Sequence, residues 1–167
     1  MGTGDAFGAG FTRSILPRTT NRNVGRQSFE IRESADLDLI LPIRWRNLYP
    51  EKPVDIESSR EVDEATDTIH FVAFAADTPF GCVSLLNEPV HECELRIRWL
   101  AVDENQRRNG TGNKLVNACL QKAQDLGIWC NVRLQAVKLY EHLGFVKISE
   151  LFELPEIGPH FLMRHIP

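Results

Sequence analysis

Apolar residues alternate with polar ones in several short runs and recur at helical spacing in others, and the changes of period divide the chain into elements. Phe29 and Ile31 share one face of a strand over residues 28–32. Ser34 is placed to cap a helix from about residue 35, with an apolar stripe of Leu37, Ile40, Leu41 and Trp45. Pro42 lies inside that stripe and predicts a kink or a split. Residues 51–67 are polar and mostly acidic and read as a loop or weak helix. Strands follow over 69–76 and 80–86, joined into a hairpin by the turn signal Asp77-Thr78-Pro79. A run over 92–102 sets Cys93, Leu95, Ile97 and Trp99 on one face and Glu92, Glu94, Arg96 and Arg98 on the other. Its alternation gives way to Leu100-Ala101-Val102, which predicts cover on both faces there.

A polar loop over 103–111 leads into a helix over 112–126, lined by Leu115, Val116, Cys119, Leu120, Ala123 and Leu126 and ended by Gly127. Residues 128–134 read as a strand and 135–143 as a short helix closed by Gly144. Segments 145–154 and 160–165 form a closing antiparallel pair. The order β-α-β-β-β-α-β-α-β-β defines a mixed α/β domain over residues 28–167.

With 43% hydrophobic and 25% charged residues, 167 residues can bury a core. The apolar runs are too short to cross a bilayer, and residues 1–27 lack the apolar segment of a secretory signal. A soluble, cytoplasmic protein with no membrane partner is expected. The net charge of −4 argues against a nucleic-acid partner. Residues 1–27 hold Arg13, Arg18, Arg22 and Arg26 against Asp5 alone and read as a flexible tail. The acidic segment 51–67 is either a solvated surface or a lip that attracts a cationic substrate. Cys82, Cys93, Cys119 and Cys130 form no C-x-x-C pair, and no His spacing makes a zinc pattern, so buried thiols and no metal are expected.

The chemistry concentrates in 100–120. An apolar strand end runs into a loop with Gly110 and Gly112, and the loop opens a helix. A helix's first turn presents unpaired N–H groups and partial positive charge. Glycines let a ligand approach the backbone, and Arg107 and Arg108 add donors suited to phosphate oxygens. Together they make a diphosphate cradle. The spacing fits neither a P-loop nor a dinucleotide fingerprint, because Lys114 and Leu115 stand where those motifs need other residues. Farther on, Ala136, Leu139, Tyr140 and Leu143 fall at helical spacing, and Tyr140 is an aromatic wall residue or a proton donor.

Arg107-x-x-Gly110-x-Gly112 resembles the coenzyme-A signature of the GNAT N-acetyltransferases, Gln/Arg-x-x-Gly-x-Gly/Ala. Ala136-x-x-Leu139-Tyr140-x-x-x-Gly144-Phe145 resembles the family's second block, and the two lie in the family's order. The resemblance implies a GNAT fold: a twisted, mostly antiparallel sheet of six to seven strands, splayed between the fourth and fifth, with about four helices. It implies acetyl-CoA, or another acyl-CoA, as cosubstrate. Pantetheine would pair with the fourth strand at Leu100, Ala101 and Val102. The pyrophosphate would sit on the backbone of Arg107, Arg108, Asn109, Gly110, Thr111, Gly112 and Asn113. Tyr140 matches the family's general acid.

Departures from the pattern leave alternatives open. Arg133 stands where many members carry Asn, and the stretch with Trp129-Cys130-Asn131 is similar to a Trp-Cys-Asn-Ala-Arg variant in one branch. Asn131 and Arg133 line the cofactor or acceptor pocket, or fix the strand end. His160 faces the acceptor or is structural. Glu94, on the polar face of the fourth strand, is a candidate base or a cross-strand partner. The expected activity is direct acetyl transfer to a primary amine of a small molecule or protein, in a chain that the family makes a possible homodimer. The alternatives are an acyl-CoA sensor on the same fold, or an interaction module docking through the tail.

Overall fold

The computed structural model describes residues 28–50, 60, 63–65 and 67–167. The tail reading of residues 1–27 and most of the acidic segment lie outside the described residues. In chain order the elements are β1 (Glu30–Glu33), α1 (Leu37–Leu48), β2 (Ile69–Ala75), β3 (Thr78–Val90), β4 (Cys93–Val102), α2 (Thr111–Ala123), β5 (Ile128–Arg133), α3 (Val137–His142), β6 (Val146–Lys147), β7 (Phe152–Leu154) and β8 (Gly158–His165). One sheet runs β1-β2-β3-β4-β5-β8-β6, with β7 also on β8. Every pair is antiparallel except β4–β5, which is parallel.

The period-2 pattern divides the sheet's two faces. Phe71, Ala73, Val83, Leu85 and Ile97 pack with Leu115, Val116 and Cys119 of α2 and Val137 and Tyr140 of α3. Val72, Phe74, Cys82 and Ala101 point the other way, against Leu37, Ile40, Leu41 and Ile43 of α1. Strands covered on both faces carry near-continuous apolar sequence, which β2 and β3 do. All four cysteines are free and buried, and burial pushes the Cys82 and Cys119 thiols up to about 12. No helix of the described residues is long and apolar enough to cross a membrane.

Several local expectations are corrected. Asp36, not Ser34, caps α1, accepting from the Asp38 amide at 3.0 Å; Ser34 accepts from the Asp36 amide. α1 runs through Pro42 without a break; its buried apolar residues fall on both sides of the proline and hold the helix to the sheet. α2 ends at Ala123, with Gln124 at φ 54°, so Leu126 is exposed and Gly127 is not the helix stop. A Cβ on Gly127 would come within 3.2 Å of Cys93, so the glycine is there for close packing. The segment 145–154 is two strands rather than one, making eight in all. The Ser149 hydroxyl accepts from the Leu162 amide at 2.9 Å and replaces a ladder bond between them. Three α-helices are present among the described residues, where about four are expected.

The correction that shapes the site is in β4. Cys82 of β3 faces Ala101, but Ser84 faces Arg98, so β4 spends three residues where β3 spends two. This is a β-bulge, and Trp99 carries φ 56° within it. The extra residue reverses the alternation. Ile97 packs toward α2, yet Ala101 packs toward α1 and Trp99 lies under the Arg44 guanidinium of α1, 3.9 Å from its ring centroid. Trp99 therefore does not share a face with Cys93, Leu95 and Ile97.

Candidate active site

β4 and β5 pair only at Leu95↔Ile128 and Arg96↔Trp129. Beyond these two rungs the strands separate, and β5 pairs instead with β8 along Ile128–Arg133. The facing edge of β4 beyond Arg96 is left without a strand partner. A cavity of about 440 Å³ opens there, lined on the β4 side by residues 96–102 and on the β5 side by Asn131, Val132 and Arg133. Its walls are completed by residues 47–49 at the end of α1, Arg107, Arg108 and Gly112 at the head of α2, Leu139 and Tyr140 of α3, and Leu154, Ile157 and His160 at the β7–β8 turn.

The head of α2 is built as a cradle in part only. Gly110 precedes the helix at φ 91°, a left-handed position suited to glycine, and a Cβ there would meet nothing within 4 Å. The Lys114 amide bonds the Gly110 carbonyl at 3.1 Å, and the amides of Gly112 and Asn113 are left as first-turn donors without an acceptor among the described residues. Other members of the predicted set are occupied. The Arg107 amide bonds the Glu104 carbonyl. Its guanidinium donates to the Val102 carbonyl at 2.8 Å and Asn47 Oδ1 at 3.1 Å, which ties the loop to β4 and α1. Asn109 Oδ1 accepts from both the amide and the hydroxyl of Thr111, so these two residues close the turn on each other. Arg108 is exposed, lines the cavity and has no partner among the described residues.

Tyr140 is buried at 5% exposure, its ring edge-on to Phe145 at 5.2 Å, and it lines the cavity. Its hydroxyl makes no hydrogen bond among the described residues. Burial holds the phenol pKa well above its ordinary value, with smaller contributions from Cys130 and Cys119. Asn131 and Arg133 both line the cavity, and Arg133 Nη2 donates to the Leu48 carbonyl at 3.2 Å, bridging the wedge from β5 to α1.

Glu94 lies elsewhere. It is exposed, absent from the cavity lining, and its Oε2 accepts from the Gly127 amide at 2.8 Å. It fastens the closed end of the wedge, where Gly127 also accepts from the amides of Glu94 and Leu95. The alternation that marked Glu94 gives a face but not a distance along the strand. His160 is the more central group. It is 4% exposed, lines the cavity, and pairs with Arg133 in the β5–β8 register. Nδ1 stands 2.7 Å from the Gly158 carbonyl, which can only accept, so Nδ1 carries the proton and the neutral ring keeps a lone pair on Nε2. The sequence signal for Arg98, Trp99 and Tyr49 as lining residues was absent, because only the bulge and the packing of α1 bring them to the wedge.

A sheet parted between two parallel neighbours, with the free amides of a glycine-led helix at one end of the gap, defines a cleft for a long ligand with an anionic head. The sequence profile of the Acetyltransferase (GNAT) family matches residues 37–145, and the chain belongs to that family. It is 28% identical over 128 residues to the uncharacterized N-acetyltransferase YitI of Bacillus subtilis, covering 72% of this chain and 85% of that one. In fold it is similar to an acyl-CoA N-acyltransferase from Pseudomonas aeruginosa, with TM-score 0.69 and 23% identity over 83% of this chain and 99% of that one. It is likewise similar to an aminoglycoside 6'-N-acetyltransferase solved with coenzyme A, with TM-score 0.67 and 16% identity over 82% and 96% of the two chains. At these identities the solved structures speak for the fold alone.

Proposed function

We propose that this chain is an N-acetyltransferase that moves an acetyl group from acetyl-CoA to a primary amine in a ternary complex. The observation that carries this is the continuous cavity from Gly112 at the head of α2, past the edge of β4 that lacks a strand partner, to Tyr140 and His160. The residues present fit the cosubstrate: open space over Gly110, first-turn amides at Gly112 and Asn113, and the Arg108 guanidinium suit a diphosphate. Bound there, acetyl-CoA supplies an activated thioester. Leu100, Ala101 and Val102, on the edge of β4 that β5 leaves without a strand partner, line the route toward the gap.

The chain's own groups then handle protons. As the N–C bond forms and the C–S bond breaks, one proton leaves the amine and one reaches the sulfur. His160 Nε2 is the candidate base, in place of Glu94. Tyr140 is the candidate acid for the leaving sulfur. Holding both reactants in one cleft lowers the entropic cost of their encounter. A thiol-release assay with acetyl-CoA and a panel of amines, with the acetylated product identified by mass spectrometry, tests the proposal. Cofactor binding without release from any amine would overturn it.

Two variants test the parts. Gly112→Val adds a Cβ only 2.8 Å from Leu139 Cδ1, so Leu139 must swing away and the larger side chain enters the cavity. The expected result is a loss of at least about tenfold in acetyl-CoA affinity, or roughly 1.4 kcal/mol, with an unchanged circular dichroism spectrum. Normal affinity in the folded variant counts against the cradle. His160→Asn keeps a side-chain donor for the Gly158 carbonyl but removes the basic nitrogen. A fall in kcat of about 10²-fold or more is expected for loss of a general base, with the KM for acetyl-CoA nearly unchanged. Unchanged turnover would leave His160 a structural residue.

A further inference from the structure

The positive charges around the acceptor end of the cavity do not balance. Three arginines surround the β4 bulge. Arg44 is paired with Asp63 at 2.7 and 3.0 Å. Arg96 is paired with Glu88, also at 2.7 and 3.0 Å. Arg98 has no hydrogen-bonded carboxylate or carbonyl among the described residues; its guanidinium rests 4.1 Å from the Trp99 ring centroid and it lines the cavity. Across the wedge, Arg133 also lines the cavity and spends one donor on the Leu48 carbonyl, with no carboxylate partner. No Asp or Glu of the described residues is among the cavity's lining. Asp63, the one member of the acidic segment with a buried side chain among the described residues, is turned inward on Arg44 and is not part of any lip. Among the described residues, then, no carboxylate faces the cavity to receive a cationic acceptor.

A half-buried guanidinium that makes no ion pair is costly to maintain. Burial, reinforced by Arg96, pulls the Arg98 pKa below its ordinary value despite the opposing charge of Glu88, which is itself paired with Arg96. A planar fork with free donors matches a carboxylate or a phosphate. The cations at the other end, Arg107 and Arg108, belong to the head of α2 and are separate from this pair in sequence and element. We propose that the acceptor amine carries an anionic group, a carboxylate or a phosphate, which Arg98 and Arg133 hold while its amine faces His160. This rests on the acetyltransferase reading and narrows it: acidic amines and amino acids are favoured, and polyamines or aminoglycosides are disfavoured by like charge.

The test is a set of matched acceptors in the thiol-release assay with the full chain. The standard amino acids are compared with their methyl esters, and O-phosphoethanolamine with ethanolamine. The anionic member of a pair is expected to exceed its neutralised partner by at least about tenfold in kcat/KM, as for a lost charge-assisted hydrogen bond, and the two sets distinguish carboxylate from phosphate. Arg98→Gln should raise the KM for the anionic acceptor and erase the preference, with the KM for acetyl-CoA unchanged. Arg98→Lys should keep part of the preference. If esters or ethanolamine serve as well as or better than their anionic partners, the anion proposal falls and the acetyltransferase reading stands. If no acceptor releases thiol, both fall.

Discussion

Replacing Tyr140 by Phe is expected to lower kcat by at least an order of magnitude, with the KM for acetyl-CoA nearly unchanged. Each tenfold corresponds to about 1.4 kcal/mol of lost transition-state stabilisation, and general acids contribute about 10²- to 10⁴-fold. The substitution isolates the hydroxyl. The ring is buried against Phe145, and Phe preserves that packing. The hydroxyl has no partner among the described residues, so removing it strands no other group there. Burial lifts the phenol pKa, which has two opposed effects. It keeps the proton in place at alkaline pH, so the acid remains charged with its proton where a free phenol would begin to ionise. It also makes donation harder, but a thiolate released into the same apolar wedge is desolvated too and holds a proton more tightly. Steady-state kinetics on both variants decides the role: unchanged turnover in Tyr140→Phe makes Tyr140 a wall of the cleft and nothing more.

The largest effect on stability is expected at Asp63. Its carboxylate and the Arg44 guanidinium are both essentially inaccessible, at 0% and 3% side-chain exposure. The pair anchors a buried chain of hydrogen bonds. Arg44 Nη2 donates to Ser84 Oγ at 3.2 Å, the Ser84 hydroxyl donates to His70 Nδ1 at 2.7 Å, and His70 Nε2 donates to the Asp63 carbonyl at 3.1 Å. The directions require a neutral imidazole, and burial lowers the His70 pKa accordingly. Asp63→Ala leaves a guanidinium buried without its counter-charge, at a cost of about 3–5 kcal/mol. For a chain of this size that is a fall in Tm on the order of 10 °C. The double variant Arg44→Met, Asp63→Leu should recover most of the loss, because two apolar groups leave no orphan charge. Thermal melts of the three chains check this; a single variant as stable as the parent would mean that the site admits water. Because Arg44 also covers Trp99, the single variant should weaken the wedge as well as the fold.

Local pattern made much of this fold legible. The apolar stripes of α1 and α2, the hairpin of β2 and β3, and the short helix carrying Tyr140 follow from period and turn chemistry within a few residues of their places. So does the glycine-led turn into α2, since Gly110 and the helix start lie within a few residues of each other. The sequence misplaced what depends on register. A bulge adds one residue and exchanges the faces of everything beyond it, and no alternation rule announces one. Trp99 therefore changed sides. Glu94 lies before the bulge; its alternation gave its face, while the pairing of Gly127 with β4 sets its place at the closed end of the wedge. The splitting of 145–154 likewise turns on one serine that bonds across to β8.

By itself, then, the chain determined its element types, its mixed α/β class and the glycine-led turn that opens α2, because these are decided by neighbours three or four positions apart. Tertiary structure alone decided which groups meet in the cleft. His160, Arg98, Arg133 and Tyr49 come from four separate elements or their ends. Their convergence depends on β5 leaving β4 after two rungs, a consequence of sheet geometry that no local stretch of sequence encodes.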